Sequence, residues 1–435
     1  MEISAAIVLV ILFFFLLIMG TPVSFSIITS AAVTITMFLS PQFATFIAAQ
    51  KLTTGIDSFS LLAVPFFILA GNLMGSGGLA QRLVNLAMLF LGKVPGSLAL
   101  TNIAGNAMFG SLSGSGIAAA SAMGSVLQGP EKEAGYEPEF SAATNIATAP
   151  VGQLIPPTNA FIIFSAACGG TSVATLLIAG WVPGLLWAGL CMIVAFAIAK
   201  KRGYVVKSSE KITMPYVLKT IWAAVPSILM VVIIIGGILS GAFSPTEASG
   251  VAVVYAFILS AFIYRSIKLR DVKDILVNTA CMTTIVMLII GASSVLSFVL
   301  SFTGLPQAIS GALLAVTDNK YLLLLIINII LLIVGTFMDM APALLIFTPI
   351  FLPVIQSIGM SEIQFGVMMV MNLAIGTVTP PVGSVLFVGC SVANLRVEKV
   401  VPRLIPYFAA MVVGLLLITY VPAFSLWLPS MFGMI

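Results

Sequence analysis

FSAATNIATAPVGQLIPPTNAFIIFSAACG, residues 140–169, is an apolar stretch of about 30 residues that is interrupted by Pro150 and the pair Pro156 and Pro157. Because proline lacks an amide donor and clashes with the preceding turn, a helix through this stretch must unwind and leave carbonyls without intrahelical partners. A similar stretch, QFGVMMVMNLAIGTVTPPVGSVLFVGCSVAN, occupies residues 364–394. The sequence therefore predicts two broken helices.

The composition places these breaks in a membrane. Of the 435 residues, 60% are hydrophobic and only 7% are charged, and the mean hydropathy is +1.20. A soluble globule carries about a quarter charged residues, so we expect an all-α polytopic membrane protein. Free backbone is tolerated at bilayer depth only where protein or a water-filled cavity satisfies it. Two interrupted helices in corresponding places are typical of the binding site of a secondary transporter.

Ten apolar stretches are long enough to cross about 30 Å of hydrocarbon. They are residues 3–20, 23–40, 58–75, 140–169, 176–199, 221–243, 246–264, 275–302, 364–394 and 404–428. Two further apolar regions, 97–128 and 321–358, are divided near 110–116 and 335–339 into limbs that are mostly short for a crossing. We interpret both regions as re-entrant hairpins.

The chain repeats itself at a spacing of about 225 residues, which pairs Pro22 with Pro245 and the two double prolines with each other. We predict two repeats, 1–215 and 216–435, each with five spans and one hairpin. Because five is an odd number of spans, the second repeat has the opposite orientation in the membrane to the first. The first comprises scaffold spans 3–75, an interfacial arm at 79–93, the hairpin 97–128, the broken helix 140–169 and a span at 176–199. The second comprises scaffold spans 221–302, an arm at 305–320, the hairpin 321–358, the broken helix 364–394 and a span at 404–428.

The basic residues test this topology. If the linker at 200–219 is cytoplasmic, 16 of the 18 Lys and Arg fall on the cytoplasmic side and only Lys51 and Lys320 lie outside, as the positive-inside rule requires. Both termini are then periplasmic. The net charge of +4 is small, and no basic run is interleaved with aromatic residues, so we expect no nucleic-acid partner.

Small polar residues mark the candidate binding positions. The first hairpin tip, 110–116, offers hydroxyl and carbonyl oxygens, although Gly110 and Gly114 also form a GxxxG motif that packs helices without a ligand. Asn145 and Asn372 precede the two breaks. Each amide either directs an oxygen at a cation or ties the loosened helix together.

Three acidic positions receive different interpretations. Asp339 is the carboxylate at a predicted hairpin tip, where an ionisable group in a membrane indicates function, although it also suits the N-cap of the following limb. Glu247 is expected to cap a helix. The acidic segment 131–139 is interpreted as a solvated cytoplasmic turn. The chain has no histidine, so few of its residues could form a multi-step proton relay. The oxygen-rich breaks favour sodium coupling.

Several motifs resemble the DctM-type large membrane subunit of tripartite ATP-independent periplasmic (TRAP) transporters over essentially the whole chain. They are TNIATAPVGQLIPPTN, GTVTPPVGS, FGSLSGSG, GTFMDMAP and FSPTEA. The resemblance implies an elevator mechanism in the bacterial inner membrane with sodium symport of an organic acid, such as a C4-dicarboxylate, sialic acid or another sugar acid. It implies two partners, a periplasmic substrate-binding protein and a small four-helix membrane subunit. Because this chain begins directly at its first span, we expect the small subunit on a separate chain.

The resemblance also carries site residues onto this sequence. The implied sodium-binding residues are Ser111, Ser113 and Asn145 in the first half and Gly335, Thr336, Asn372, Gly376 and Thr379 in the second. The implied substrate-binding residues are Ser115, Thr158 and Asp339.

Other classes of function remain open at this stage. The alternative is a stand-alone sodium-coupled di- or tricarboxylate symporter of the divalent-anion type, which shares the inverted hairpin plan. A passive channel is conceivable, but hairpins in both halves favour alternating access. We do not expect an enzyme, because the chain contains no HExxH, no GxSxG and no histidine base.

Overall fold

The computed structural model describes the chain except for residues 1, 77, 93, 205–212, 305, 307, 310, 312–314, 316 and 318. Within the described ranges all regular structure is helical. The first half contains α1 (Glu2–Ile18), α2 (Val23–Ile35), α3 (Pro41–Ile56), α4 (Ala63–Ser76), α5 (Leu79–Leu91), α6 (Ser97–Ser113), α7 (Gly116–Glu133), α8 (Pro138–Thr148), α9 (Asn159–Ala167), α10 (Val173–Ala179) and α11 (Trp181–Arg202). The second half contains α12 (Met214–Leu239), α13 (Pro245–Ile258), α14 (Leu269–Phe302), α15 (Lys320–Phe337), α16 (Met340–Ser357), α17 (Glu362–Gly376), α18 (Ser384–Ala393), α19 (Val397–Tyr420) and α20 (Ala423–Met431).

Seven described helices are long and apolar enough to cross a membrane, and a bent pair could form an eighth crossing. The chain is therefore a multi-pass membrane protein. Both limbs of the second hairpin, α15 and α16, have 18 residues and pass this test. Limb length consequently does not separate a re-entrant hairpin from two crossings, and re-entrance stays a prediction.

The sequence interpretation missed α3, which is continuous from Pro41 to Ile56. Its glutamines, threonines and Lys51 lowered the apolar signal below that of a span. A 3-10 turn, Phe59–Leu62, leads into α4, and the two helices bend by 64°. The predicted span at 58–75 is therefore the second arm of a bent pair.

The predicted span at 404–428 was also misplaced. Helix α19 runs from Val397 to Tyr420 and is followed by the separate short helix α20. Val421 takes an extended conformation (φ −117°, ψ 96°), because the following Pro422 disfavours helical geometry in the residue before it. The basic segment before 404 thus belongs to the helix.

The connecting elements agree with expectation where they are described. The arm predicted at 79–93 is the amphipathic helix α5, which buries Leu79, Leu83 and Leu86. Glu247 caps α13, since its side chain accepts from the Ser244 amide while the Ser244 hydroxyl accepts from the Glu247 amide. Half of the residues of the arm predicted at 305–320 lie outside the described residues.

Both predicted broken helices are broken. In the first, α8 passes into a 3-10 turn, Ala149–Gln153, and α9 begins only at Asn159. In the second, irregular backbone separates α17 from α18. The halves exchange partners: α18 packs against the first hairpin through α7, and α9 packs against the second hairpin through α16. The two hairpins and the two broken helices thus form one interlocked body.

Candidate functional site at the two hairpin tips

The first hairpin tip is held against the first break by glycine. Helix α6 ends at Gly114, whose φ of 63° is left-handed, and Ser115 begins α7. Gly110 lies directly on Gly152 of the 3-10 turn, and a Cβ at Gly152 would overlap the Gly110 backbone. Only two glycines allow this approach, so Gly110 of the GxxxG motif packs the tip onto the break.

The predicted hydroxyls of the first half lie around this contact. Ser111 is buried and donates to the Met108 carbonyl at 2.8 Å. The Ser115 hydroxyl accepts from the Ala118 amide at 3.3 Å, which caps α7. Thr158 caps α9 by accepting from the Ala160 amide at 3.2 Å. The Ser113 hydroxyl lies 3.4 Å from the Ser115 backbone. These side chains are therefore positioned at the tip by local hydrogen bonds.

Asn145 lies in a cluster of buried amides with Asn102 and Asn106. Its Nδ2 donates to the Ala120 carbonyl at 2.7 Å, and its Oδ1 accepts from Asn106 Nδ2 at 3.1 Å. Asn106 Nδ2 also lies within hydrogen-bond distance of Asn102 Oδ1 and the Thr148 hydroxyl. The sequence interpretation missed Asn102 and Asn106. The signal was available, because amides are rare on an otherwise apolar hairpin limb.

The second unit repeats the glycine contact. Gly335, near the end of α15, lies against Gly376, at the end of α17, and a Cβ at Gly376 would meet the Gly335 backbone. Thr336 is buried, and its carbonyl accepts from the Gly383 amide at 3.1 Å. The Thr379 hydroxyl donates to the Ile375 carbonyl at 2.7 Å. Four of the predicted sodium-binding residues of the second half therefore gather at one tip.

Asn372, the fifth predicted residue of the second half, has an amide partner of its own. Its Nδ2 donates to Asn328 Oδ1 at 2.8 Å and to the Asn328 carbonyl at 3.0 Å. Asn328 Nδ2 in turn donates to the Leu324 carbonyl at 2.9 Å and contacts the Thr419 hydroxyl at 3.2 Å. The Asn372 Oδ1 atom is buried and has no hydrogen-bond partner. A buried oxygen without a donor suits a cation or a bound water.

Asp339 occupies the N-cap position of α16, but its side chain makes no capping hydrogen bond. The residue is exposed at the hairpin tip, beside the Ser384 hydroxyl at the start of α18. Asp339 therefore holds the N-cap position without a capping hydrogen bond, and its binding of a ligand stays a prediction.

Helix ends of both polarities meet around the two tips. Gly116, at the start of α7, lies close to Pro150 and to Val385 in the first turn of α18. Gly114 adjoins Asn159, the first residue of α9.

Asp339 at the N-cap of α16 lies beside Ser384 at the start of α18. The N-termini of α7, α9, α16 and α18 therefore form a connected group, and the C-termini of α6, α8, α15 and α17 lie at the same breaks. N-terminal amides attract anions, and C-terminal carbonyls suit cations.

The acidic segment after the first hairpin is not the solvated turn that the sequence predicted. Glu131 is 3% exposed in the last turn of α7, and its Oε1 atom has no hydrogen-bond partner. Burial raises the pKa of its carboxyl from 4.5 to about 7. The polar residues around it hid this burial, because a hydrophilic sequence stretch looks solvated whichever of its side chains points inward.

Comparison with known proteins settles the family. Residues 10–424 match the family described as "Tripartite ATP-independent periplasmic transporter, DctM component". The chain belongs to the DctM family. It is thus a large permease component of a TRAP transporter, as the motifs around both double prolines suggested.

Individual relatives agree with this membership. The DctM chain is 47% identical to the uncharacterized protein YgiK of Salmonella typhimurium, over 97% of this chain and 96% of YgiK. It is 36% identical to the sialic acid TRAP transporter large permease SiaM of Vibrio cholerae, over 96% of both chains. It is 34% identical to the C4-dicarboxylate TRAP transporter large permease DctM of Rhodobacter capsulatus, over 96% of this chain and 97% of that one.

A solved structure shares the fold of this DctM component. The Alcanivorax borkumensis YdaH transporter aligns with a TM-score of 0.58 and 13% identity, over 88% of this chain and 89% of that one. At this identity the likeness concerns the fold alone.

Proposed function

We propose that this DctM component translocates an organic acid across the bacterial inner membrane by sodium symport. The observation that carries the proposal is the meeting of eight helix ends of both polarities around two hairpin tips. Such interrupted helices lie near the bilayer midplane in secondary transporters and hold substrate and coupling ion together. The substrate class follows from two relatives, whose names specify sialic acid and C4-dicarboxylate.

The acid's carboxylate would meet the N-termini of α7, α9, α16 and α18. The partial positive charge of a helix N-terminus favours an anion by about 0.3–1 kcal/mol where the site is exposed and more where water is excluded. Ser115 and Thr158 cap two of these helices and are the hydroxyls nearest to the bound acid in this proposal.

Sodium would occupy the opposite ends. The proposed ligands are carbonyl and side-chain oxygens of Ser111, Ser113 and Asn145 in the first unit. In the second unit they belong to Gly335, Thr336, Asn372, Gly376 and Thr379. Asp339 would contact substrate hydroxyls or share a sodium ion with the substrate, because two bare carboxylates repel. These oxygens are hard ligands, which prefer small hard cations.

The interlocked hairpins and broken helices would move together as the transport body of an elevator, with the other helices as scaffold. The two predicted inverted repeats supply the symmetry for such a motion. As in the family, a periplasmic binding protein would deliver the acid, and a small membrane subunit would complete the scaffold.

Reconstitution tests this function. Vesicles containing the chain, its small subunit and the binding protein should accumulate sialic acid or a C4-dicarboxylate against its gradient when sodium is imposed outside. Uptake that persists at fixed pH when choline replaces sodium would contradict sodium symport. Uptake by the chain alone would instead support the stand-alone symporter.

A further inference from the structure

A second polar site lies at the base of the first hairpin, away from the tips. A cavity of about 310 Å³ opens between α6, α7, α8 and the end of α18. Glu131 and Lys132 line it from α7, and Asn394 and Leu395 line it from the other side. Both groups adjoin segments that the charge pattern places in the cytoplasm. The mouth of this cavity therefore faces the cytoplasm in the predicted topology.

Buried polar atoms without hydrogen-bond partners lie on the helices that form this cavity. Glu131 Oε1 lacks a hydrogen-bond partner, and so do Ser141 Oγ on α8 and Asn106 Oδ1 on α6. Ser141 and Asn102 are the side chains that lie beside the Glu131 carboxylate. A buried carboxylate without a counter-charge is strongly unfavourable. The Ser141 hydroxyl and the Asn102 amide are neutral donors beside the carboxylate, while Glu131 Oε1 has no hydrogen-bond partner and can bind a cation or an ordered water.

The charges around Glu131 leave it uncompensated. Lys132 and Tyr136 are the other titratable residues that line the cavity, and Tyr407 of α19 is close enough to the carboxylate for an electrostatic interaction. Helices α6, α8 and α18 present neutral side chains to it. Among the residues that the structure describes, no Lys or Arg forms an ion pair with Glu131.

The cavity also leads inward. Asn145, one of the proposed sodium ligands, lines the same cavity as Glu131. Asn106 hydrogen-bonds to Asn102, which lies beside Glu131, and to Asn145 and Thr148 at the break. A continuous chain of side-chain oxygens and amides therefore connects the cavity with the first broken helix.

We propose that this cavity is a cytoplasm-facing sodium site, separate from the hairpin tips, in which the Glu131 carboxylate is the charged ligand and Ser141 and the amide oxygens are neutral ones. The site extends the proposed sodium coupling by giving the ion a place on its way out through Asn145. A volume of about 310 Å³ accommodates a sodium ion with several of its waters, since each water needs about 30 Å³.

Sodium-dependent stability tests the site. The purified chain is heated at about pH 8, where a carboxyl with a pKa of about 7 is mostly ionised, in sodium chloride or in choline chloride. A ligand that binds only the folded state raises the unfolding midpoint. We expect Glu131→Gln to lose about 2 °C of the sodium-specific shift, as removal of one site of modest affinity requires. Glu133→Gln, two residues on and exposed, should keep the full shift.

Each other outcome decides the matter. A full shift in Glu131→Gln overturns the proposal, as does potassium raising the midpoint as much as sodium. If Glu131→Gln does not fold, Ser141→Ala decides, with a partial loss supporting the site and a full shift refuting it. If these shifts are found but uptake does not depend on sodium, the sodium site is supported and symport is contradicted. If uptake is driven by sodium but Glu131→Gln keeps the full shift, symport is supported and the sodium site is contradicted.

Discussion

The two hairpin units are built alike at their tips and differ at their bases. Each has a glycine pair, Gly110 with Gly152 and Gly335 with Gly376, and each break is tied to its hairpin by an asparagine pair. In the second unit the pair ends at the Thr419 hydroxyl. In the first unit it continues past Asn102 toward a buried carboxylate and an open cavity.

The carboxylates are placed oppositely as well. The second unit carries Asp339 at its tip, exposed and without a capping bond, whereas the first unit has Gly114 and Ser115 there and carries Glu131 at its base. The shared glycine and amide contacts hold the broken backbone together in both units. The differences are where each unit is expected to meet ions and substrate.

The glycine pairs should give the largest effect on stability. Gly152→Ala forces a methyl group into the Gly110 backbone, so we expect destabilisation of about 3 kcal/mol, the upper end for overpacking. Gly376→Ala, where the overlap is smaller, should cost less. Gly129→Ala is the control, because its Cβ would meet nothing within 4 Å. Unfolding of the purified variants in detergent measures the order of their stabilities. Equal stability of all three would show that the glycine contacts do not hold the tips against the breaks.

Asp339 and Ser115 should separate the two tips by function. Asp339→Asn should lower sodium-driven uptake by about 10- to 100-fold, because hydrogen bonds to charged groups contribute about 1.5–3 kcal/mol, while stability stays within about 0.5 kcal/mol. Ser115→Ala removes a helix cap and should cost about 1 kcal/mol of stability, in addition to lowering uptake through the loss of a proposed substrate-binding hydroxyl. Uptake in vesicles and thermal unfolding together check both variants. Unchanged uptake in Asp339→Asn would remove Asp339 from the proposed substrate site.

The asparagine pairs should respond unequally to truncation. Both Asn145→Ala and Asn372→Ala leave buried polar groups unpaired, which costs about 1–3 kcal/mol. The loss should be larger for Asn372, which is 0% exposed, than for Asn145, which lines the cavity and can be replaced by water. Denaturant unfolding in potassium buffer measures this, and a larger loss at Asn145 would contradict the expected difference between the two asparagine pairs.

Glu131 should make stability depend on pH in the first unit. Its folded-state pKa of about 7 lies above the ordinary 4.5, so the folded state binds the proton more tightly than the unfolded state does. Its contribution to stability is fully present below about pH 4.5 and is lost as pH rises through about 7. In sodium-free buffer the unfolding midpoint should fall from pH 5 to pH 8 more in the wild type than in Glu131→Gln. Equal slopes would show that Glu131 is solvated.

The sequence predicted the parts of this fold that depend on local backbone chemistry. Proline pairs break helices wherever they lie, so both broken helices were found, and the hairpin division near Gly114 followed from its glycines and serines. The positions of polar residues inside the protein were harder to predict. Helix α3 was missed because its glutamines and threonines hid its helical character, and Glu131 was interpreted as solvated because only tertiary packing from α6 and α8 buries it.

The candidate site was predictable as a set of positions but not as a geometry. Asn145 and Asn372 were identified beside their breaks, whereas their partners Asn106 and Asn328 required the packing of another helix. The capping role of Glu247 was predicted from its position three residues after Ser244. The use of Asp339 could not be decided from sequence, since N-cap preference and ligand binding favour the same residue.

The most direct test of the account is a density map of the chain with its small subunit, recorded with sodium and a bound organic acid and again with potassium alone. We predict that sodium adds density at the C-terminal ends of α6 and α8 and of α15 and α17, with the acid between the N-termini of α7, α9, α16 and α18. Acid bound elsewhere, or identical density at these ends in sodium and in potassium, would contradict it.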